Sequence, residues 1–430
     1  MEYITDLHLH SKYSRACSKN LDLAGNTAAG RKKGIQVIGT GDFTHPEWFK
    51  ELTDNTEDLG NGLLKYKEST HKDDPVFMLT QEISCIYSKN GKMRRNHIVI
   101  TAPSLKVVGK IADALGKIGN ISSDGRPILG MSSEELAKTV LDISEKCLII
   151  PAHIWTPWFS TFGSKSGYDS LEECFGEVTK YIYAFESGLS SDPEMNRRVK
   201  ELDGLALVSN GDAHSPPNLG REATVFNLEN LSYSNIYTAI KESKMRGSDP
   251  KLKNKISYTI EFYPEEGKYH WDGHRDCKVR LSPEETIKCK EICPKCKKKV
   301  TVGVEARVEG LATRSKEEVE KIKDEFTPYK SLIPLEEVIS EVVGVGKKSK
   351  TVQIEYERIL KENNFSEFDV LLHSSLEDLK EVLTPEEHEA IKRMRNGDIQ
   401  IEPGYDGEYG TVKIFKPEER DGKAVQSTLF

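Results

Sequence analysis

Short apolar segments alternate with amphipathic ones over the first 240 residues of the chain. The apolar segments predict strands at residues 35–40, 76–79, 97–101, 147–151, 182–185 and 206–210. The stretches between them have apolar residues at helical spacing; residues 132–144, for example, begin with serine and place Leu136, Val140 and Leu141 on one face. This regular alternation of strand and helix predicts an α/β domain with a parallel sheet or barrel.

The pattern changes after residue 245. A polar segment at 246–255 contains Asp249-Pro250 and predicts a linker. Short strands are predicted around a group of cysteines at 256–312, and mainly helices at 316–415, ending in a hairpin over 397–415. Residues 416–430 are polar up to the last two and predict a flexible tail. We therefore expect an α/β domain at 1–245, a small cysteine-containing module, a helical region and a tail.

Composition narrows the class of protein. The 430 residues leave room for two to four domains at roughly 100–200 residues each. No apolar run approaches the roughly 20 residues needed to cross a bilayer, and the first residues lack the cationic start and apolar stretch of a signal peptide. We therefore expect a cytoplasmic protein. The formal net charge of −8 neither indicates nor excludes nucleic-acid binding, because local patches decide binding.

Histidines and carboxylates are concentrated where the predicted strands begin or end. They are His8, His10, Asp42, His45, Glu82, His97, His153, Asp212 and His214. Loops at the carboxyl ends of parallel strands meet on one face, so all of these except His97, which opens its strand, should converge. Imidazole and carboxylate are ligands for zinc, iron or manganese. Because there are too many ligands for one tetrahedral ion, we expect two or three divalent metals (Zn, Mn, Fe or Mg), which would activate a phosphoryl group toward hydrolysis.

Further groups near these motifs have two possible interpretations each. Glu186 follows a predicted strand and is either a ligand or a hydrogen-bonding partner of one. Lys12, Arg15 and Arg221 flank the motifs as candidate phosphate contacts, with ordinary surface charge as the alternative. The aromatic residues of segment 155–159 follow a candidate ligand, and they either stack on or wedge between bases or plug the domain.

The motifs Asp6-x-His8-x-His10, Asp42-x-x-His45 and Asp212-x-His214, together with Glu82, His97 and His153, resemble those of the polymerase-and-histidinol-phosphatase (PHP) superfamily. The resemblance covers about the first 240 residues. It implies a PHP-type distorted (β/α)7 barrel, a trinuclear metal site built from the nine residues above, and hydrolysis of phosphoesters. No catalytic side chain beyond the metal ligands is then expected.

A second candidate metal site lies in the cysteine-containing module. The pair His274-x-x-Cys277 is followed by Cys293-x-x-Cys296, and this paired spacing is typical of zinc ribbons. Four protein ligands leave no open position, so the predicted zinc is structural. His270 and Cys289 are alternatives to His274 as the fourth ligand. Lysines beside the cysteines predict either contacts to phosphates or a solvated rim.

A glycine- and lysine-rich segment precedes a predicted helix in the C-terminal half. Gly344, Gly346, Lys347 and Lys348 resemble the hairpin of helix-hairpin-helix modules, in which backbone N–H groups face a DNA phosphate. A simple glycine-rich connector between helices is the alternative.

The last residues of the sequence resemble a peptide that binds sliding clamps of the PCNA type. Gln426, Leu429 and Phe430 are the residues that match, although the motif is shortened because only one aromatic residue is present. A tail without a partner is the alternative.

The order of these parts resembles that of the endonuclease Q family over nearly the whole chain, with particular matches at residues 40–46 and 265–270. The resemblance implies a DNA-repair endonuclease that nicks the strand 5′ of uracil, hypoxanthine, xanthine or an abasic site. Two alternatives stay open, a PHP-family phosphatase acting on a small phosphorylated substrate and a non-catalytic, clamp-bound scaffold.

Overall fold

The computed structural model describes residues 1–362 and 364–420. The predicted clamp-binding residues Gln426, Leu429 and Phe430 lie outside these ranges. The strands are β1 (Glu2–Asp6), β2 (Val37–Gly39), β3 (Thr56–Asp58), β4 (Leu64–Tyr66), β5 (Val76–Lys89), β6 (Lys92–Ala102), β7 (Ile128–Leu129), β8 (Leu148–Pro151), β9 (Ala184–Glu186), β10 (Ala206–Val208), β11 (Ala223–Asn227), β12 (Lys255–Glu261), β13 (Asp272–His274), β14 (Val279–Leu281), β15 (Tyr329–Ser331), β16 (Gln400–Glu402) and β17 (Thr411–Lys413).

Helices surround these strands and dominate the C-terminal part. They are α1 (Leu23–Lys33), α2 (Pro46–Asn55), α3 (Leu105–Leu115), α4 (Ser133–Ile143), α5 (Leu171–Phe175), α6 (Pro193–Arg197), α7 (Tyr233–Glu242), α8 (Pro283–Lys288), α9 (Val304–Leu311), α10 (Lys316–Lys321), α11 (Leu335–Val343), α12 (Lys350–Glu362), α13 (Leu376–Leu379) and α14 (Pro385–Asn396). None of the helices in the described ranges is long and apolar enough to cross a membrane.

A mixed sheet of eleven strands organises the N-terminal part. β1 pairs in parallel with β2, and β2 pairs in parallel with β5. On one side the sheet continues antiparallel through β6 to β8, and on the other through β11 and β12. β9 and β10 form a separate parallel pair. The protein is therefore a mixed α/β structure, and among the described residues the paired strands do not close into a ring, so the closed (β/α)7 barrel stays a prediction.

The predicted strands of the first 240 residues each overlap an observed strand. The largest difference is at 76–79, which opens a strand of 14 residues that returns as an antiparallel hairpin with β6. β8 is buried along its whole length, as is usual for a strand covered on both faces. In α4 the side chain of Ser132 accepts a hydrogen bond from the backbone of Glu135 in a capping box, and Leu136 and Val140 are buried.

The main sheet extends beyond the predicted end of the first domain. β12 pairs with β11, and β15 then pairs in parallel with β12. The boundary predicted at residue 256 therefore falls inside the sheet, and a short strand of the predicted helical region completes its edge. Sequence patterning missed this because strands of three to seven residues give almost no periodic signal.

A hairpin near the C-terminus is hydrogen-bonded to the cysteine-containing module. The predicted hairpin is confirmed as β16 paired with β17. In its turn the carboxylate of Asp406 accepts hydrogen bonds from the backbone N–H of Arg275 and from Oγ1 of Thr301, both at 2.6 Å. Just beyond β17 the backbone N–H of Ile414 donates to Glu341 of α11 at 2.9 Å. The hairpin thus connects the module to the C-terminal helices.

The C-terminal helices are also anchored to the first part of the chain. Nζ of Lys33, at the end of α1, lies 2.9 Å from a carboxylate oxygen of Glu367, and both side chains are buried. Tyr356 donates its hydroxyl hydrogen bond to the same carboxylate at 2.7 Å. A buried ion pair needs such additional hydrogen bonds to offset the loss of hydration, so this contact fixes where the helices dock.

Candidate metal centre

Glu82 lies at the centre of the histidine and carboxylate cluster. It is buried on β5, and its carboxylate oxygens lie 2.6 Å from Nδ1 of His97, 3.2 Å from Nε2 of His153 and 3.3 Å from Nε2 of His10. Two groups with ligand atoms within 4.8 Å of one another share Glu82. They are His8, His10, Glu82 and Asp212, and Glu82, His97 and His153. Glu82 is therefore the carboxylate that the two groups of candidate ligands have in common.

His97 reaches the cluster along the antiparallel strand β6. Its register places it opposite Ser84, and Val99 lies opposite Glu82. Because residues two apart on a strand share a face, His97 and Glu82 point to the same side of the sheet. This explains how a histidine that begins a predicted strand joins ligands that end other strands.

Several buried atoms of the cluster have no hydrogen-bond partner among the described residues. They include Nε2 of His8, Nε2 of His10 and Oδ1 of Asp212. Nε2 of His10 is only 3.1 Å from that Oδ1 atom, but the two are not aligned for a hydrogen bond. A buried polar atom without a partner costs about 1–3 kcal/mol. Divalent metals bound between these atoms would remove that cost, so the donor set fits a metal site.

Three site residues have backbone conformations that are rare outside glycine. Asp42, His153 and Asp212 have φ of 48°, 30° and 42°, and each comes soon after the end of a strand. A left-handed backbone at a non-glycine residue costs of order 1–3 kcal/mol, and such strain recurs at functional sites. The sharp turns aim these side chains back over the ends of the strands, toward the cluster.

Glu186 stands behind the cluster rather than in it. Both of its carboxylate oxygens lie 3.0 Å from Nδ1 of His8, and it also accepts hydrogen bonds from the backbone N–H of His153 at 3.0 Å and from Nδ2 of Asn210 at 2.9 Å. A carboxylate that binds Nδ1 orients the imidazole so that Nε2 faces the metal. This geometry favours the second of the two interpretations, a hydrogen-bonding partner of a ligand.

Asp42 stands in the same relation to His10. Its Oδ1 lies 3.2 Å from Nδ1 of His10, while its Oδ2 accepts hydrogen bonds from the backbone N–H and hydroxyl of Ser11 and from the hydroxyl of Ser14, at 2.6 to 2.8 Å. The expected ligand Asp42 thus lies outside both groups of close ligand atoms.

His45 and His214 also lie at the edge of the cluster, outside both groups. The ring of His45 stacks on Tyr13 with centroids 4.5 Å apart, and its Nε2 lies 3.1 Å from the carbonyl oxygen of Ser122. The ring of His214 packs edge-on against His10 at 4.7 Å. The expected metal-binding roles of Asp42, His45 and His214 stay predictions.

Burial and neighbouring charges shift the pKa values of the cluster in different directions. Burial raises the pKa of Glu82, but the charges of His97 and Arg126 lower it more, so it lies well below its usual value. For the His8 imidazole the effect of burial is the opposite and lowers the pKa. Its carboxylate neighbours, first among them Glu186, raise the pKa more, so it lies well above its usual value. Glu82 is therefore ionised at neutral pH and available as a ligand.

Arg126 is a part of the site that sequence patterns did not identify. Its Nη1 lies 3.1 Å from Glu82, and its side chain is partly open to solvent. It belongs to a loop that passes close over the site, since a Cβ atom on Gly125 would lie 2.1 Å from Oδ2 of Asp42. A single arginine in a polar loop has no periodic signal, so only the folded structure brings it to the metal ligands.

The three residues predicted to contact phosphate differ in their exposure to solvent and in the partners that their charged groups already have. Nζ of Lys12 is paired with Glu51 at 2.9 Å. Arg15 has a side chain 78% exposed, 3.3 Å from Asp124. Arg221 donates to Oδ1 of Asn218 at 2.9 Å. Arg15 is thus the most accessible of the three predicted contacts.

The second predicted metal site is brought together by the fold. The ligand atoms of His274, Cys277, Cys293 and Cys296 lie within 4.8 Å of one another, and Nε2 of His274 is 3.7 Å from Sγ of Cys296. Cys293 is fully buried. The alternatives His270 and Cys289 lie outside this group in the described structure, so the geometry favours His274 as the fourth ligand.

The glycine- and lysine-rich segment borders a groove that is also lined by residues 215–218, which follow the last histidine motif. α11 ends at Gly344, whose φ of 73° is left-handed, and the following residues lead into α12. Lys347 pairs with Glu337 at 2.7 Å, and Lys348 is exposed. Together with Arg221 these lysines line a groove of about 850 Å³ that also contains the segment following the first histidine motif.

The aromatic residues after His153 differ in how deeply they are buried. Trp155 is fully buried and donates a hydrogen bond from Nε1 to Asn196 at 2.8 Å, so it is a plug. Trp158 is 40% exposed and packs edge-on against Tyr269 of the cysteine-containing module at 5.7 Å.

Comparisons with known proteins cover the whole chain. Residues 334–398 match the family model described as the MJ0043 C-terminal domain. Protein MJ0043 of Methanocaldococcus jannaschii is 34% identical over 285 residues, which is 64% of this chain but 33% of that protein. The chain thus matches about a third of the length of that relative.

Two solved structures match end to end. The lesion-specific endonuclease PfuEndoQ of Pyrococcus furiosus is 31% identical, with a TM-score of 0.83 over 99% of this chain and 100% of that chain. An endonuclease Q bound to a 27-mer duplex with an abasic lesion at its active site is 30% identical, with a TM-score of 0.82 and full coverage of both chains.

Proposed function

Since this chain belongs to the endonuclease Q family, we propose that it is a metal-dependent endonuclease that nicks damaged DNA. The observation that supports this most directly is the match over both complete chains to an endonuclease Q bound to a duplex with an abasic lesion. The match includes the module and the C-terminal helices, which a small-molecule phosphatase would not need. The buried metal-type donor set argues against a non-catalytic scaffold.

The chemistry follows from what each side chain of the cluster can hold. Two or three divalent cations at this site would supply Lewis acidity and a nucleophile at neutral pH. Glu82 lies between the two groups of ligands, and Glu186 and Asp42 fix the rings of His8 and His10 from behind. The ring nitrogens therefore present their lone pairs in one orientation, which a metal site requires before substrate arrives.

The proposed targets are uracil, hypoxanthine, xanthine and abasic sites, with cleavage on the 5′ side. A buried metal cluster cannot reach a phosphate in an undistorted duplex, so the damaged nucleotide must leave the helix. Extrusion costs a few kcal/mol and costs least for a weakly paired or missing base. This difference would give selectivity for damaged nucleotides.

We also assign supporting roles to the other two parts of the chain. The group His274, Cys277, Cys293 and Cys296 would hold one structural zinc. The groove lined by Arg221, Lys347 and Lys348 would take the phosphate backbone of DNA, with the backbone of Gly344 and Gly346 close to one phosphate. The C-terminal residues Gln426, Leu429 and Phe430 would bind a sliding clamp and keep the enzyme near DNA.

The direct test uses end-labelled duplexes that are identical except for one position. Uracil, hypoxanthine, xanthine or an abasic site is placed there, with the undamaged duplex and p-nitrophenyl phosphate as controls. We expect a single nick 5′ of each lesion in the presence of Mg²⁺ or Mn²⁺ and no cut in the undamaged duplex. Hydrolysis of p-nitrophenyl phosphate without any nicking would instead support a phosphatase.

A further inference from the structure

Trp158 stands beside the metal cluster at the contact between the first domain and the cysteine-containing module. The hydroxyl of Thr156 lies 3.1 Å from Nδ1 of His153 and donates a hydrogen bond to the carbonyl oxygen of Trp158 at 2.9 Å. The ring of Trp158 meets Tyr269 at 5.7 Å between centroids with an interplanar angle of 76°. The position of this tryptophan is therefore tied both to a metal-type ligand and to the module.

The next residue fixes the loop from the other side. The ring of Phe159 packs on His97 with centroids 4.7 Å apart, and its carbonyl oxygen accepts a hydrogen bond from the backbone N–H of His97 at 2.9 Å. Phe159 has a left-handed φ of 63°, which these contacts stabilise. Trp158 is held in one place, yet its side chain is open to solvent.

Cations are interleaved with aromatic rings around this point. The guanidinium of Arg95 lies 5.6 Å from the centroid of Phe159, and Nζ of Lys268 lies 4.4 Å from the centroid of the exposed Tyr409. Aromatic faces among cations are typical of surfaces that stack bases while binding the backbone. Because Trp155 already fills the core of the loop, packing does not require Trp158.

We propose that Trp158, braced by Tyr269, stacks on the base next to the lesion and so positions the phosphate to be cut. This inference rests on the proposed function and names a positioning residue for it. Base stacking on an aromatic ring is worth about 1–3 kcal/mol per base, which corresponds to roughly 5- to 150-fold in affinity.

The test combines kinetics with a fluorescent base. Duplexes carry 2-aminopurine beside a single abasic site, and binding is measured with variants in a His8→Ala background, in which we expect no cutting. Stacking by Trp158 should change the 2-aminopurine fluorescence, Trp158→Phe should keep the change, and Trp158→Ala should remove it. In the otherwise unchanged enzyme, Trp158→Ala should lower kcat/KM for the abasic duplex by about tenfold, while Trp158→Phe stays within about threefold.

Tyr181→Ala is the matched control. Tyr181 is an exposed aromatic residue with Lys180 5.1 Å from its ring, like the pairs around Trp158, and its loss should change neither signal. Unchanged fluorescence and unchanged kcat/KM in Trp158→Ala would overturn the inference while leaving the proposed function intact. Absence of nicking by the unsubstituted enzyme would overturn the proposed function, and the fluorescence measurement would still decide the role of Trp158.

Discussion

Nδ1 of His8 lies 3.0 Å from both carboxylate oxygens of Glu186, and both side chains are completely buried. This contact directs Nε2 of His8 toward Glu82 and Asp212, where a metal would bind. The pair is separated by 178 residues in the sequence, so the orientation of the first histidine motif depends on a strand near the middle of the chain.

Removing a central ligand should abolish nicking without abolishing DNA binding. His8→Ala, Glu82→Ala and Asp212→Asn each delete a member of the group whose atoms lie within 4.8 Å, so a metal should be lost or displaced. The measurements are nicking of an abasic duplex and metal content by elemental analysis. Near-normal nicking by these variants in metal-free buffer would exclude the metal mechanism.

Substituting Glu186 should weaken metal binding rather than remove it. Loss of a residue that orients a metal ligand typically costs about 10- to 100-fold in metal affinity or activity, and we expect Glu186→Gln to shift the Mn²⁺ dependence of nicking by that amount. Glu222→Gln is the matched control, because Glu222 is equally buried and accepts a hydrogen bond from the backbone of Phe262 rather than from a histidine of the cluster, as far as the described residues go. Equal shifts in both variants would indicate a general effect of burial.

Cys293→Ser should remove one zinc per chain and destabilise the module. Zinc bound at a four-ligand site contributes directly to folding free energy, so we expect a lower melting temperature and weaker DNA binding by the full chain. Cys289→Ser is a matched control because Cys289 lies four residues earlier and outside the ligand group. Zinc retention in Cys293→Ser, or zinc loss in Cys289→Ser, would contradict the assignment.

Lys348→Ala should weaken binding to damaged and undamaged duplexes alike. A lysine that contacts a phosphate contributes about one unit to the slope of log K against log salt concentration, so the slope should become shallower by about that amount. Lys321→Ala, at the end of α10, removes the same charge at a residue that does not line the groove. The same slope of log K against log salt concentration for Lys348→Ala and Lys321→Ala would contradict the prediction.

Deleting residues 426–430 should leave nicking of short duplexes unchanged and abolish binding to the sliding clamp. The proposed clamp peptide would act by raising the local concentration of the enzyme at DNA, not through the chemistry. Calorimetry of the full-length and shortened chains against the clamp of the same organism measures this. Equal heats of binding would remove the clamp assignment.

Strand placement and most of the metal-type cluster could be predicted because both follow local rules. Buried strands are visible in the sequence as apolar runs, and ligands that follow the carboxyl ends of parallel strands lie on one face of the domain. Arg126 could not be predicted, and the sequence left Glu186 open between a ligand and a hydrogen-bonding partner of one, because both depend on how a polar loop and a separate strand pair fold over the site. β15 could not be predicted for the same reason, because its three residues are recognisable as a strand only once they pair with β12.

The hydrogen bonds that Asp406 accepts from Arg275 and Thr301 have a consequence for how the protein folds during its synthesis. Domains generally fold as they leave the ribosome, from the N-terminus onward. The cysteine-containing module is synthesised before the hairpin that contacts it, and helices α10 to α14 are synthesised between the two. Until residue 406 has been added, the nascent module lacks the two hydrogen bonds of Asp406 and is held to the first domain by contacts such as that of Arg307 with Asp169, so metal capture at that stage would stabilise it before the hairpin is made.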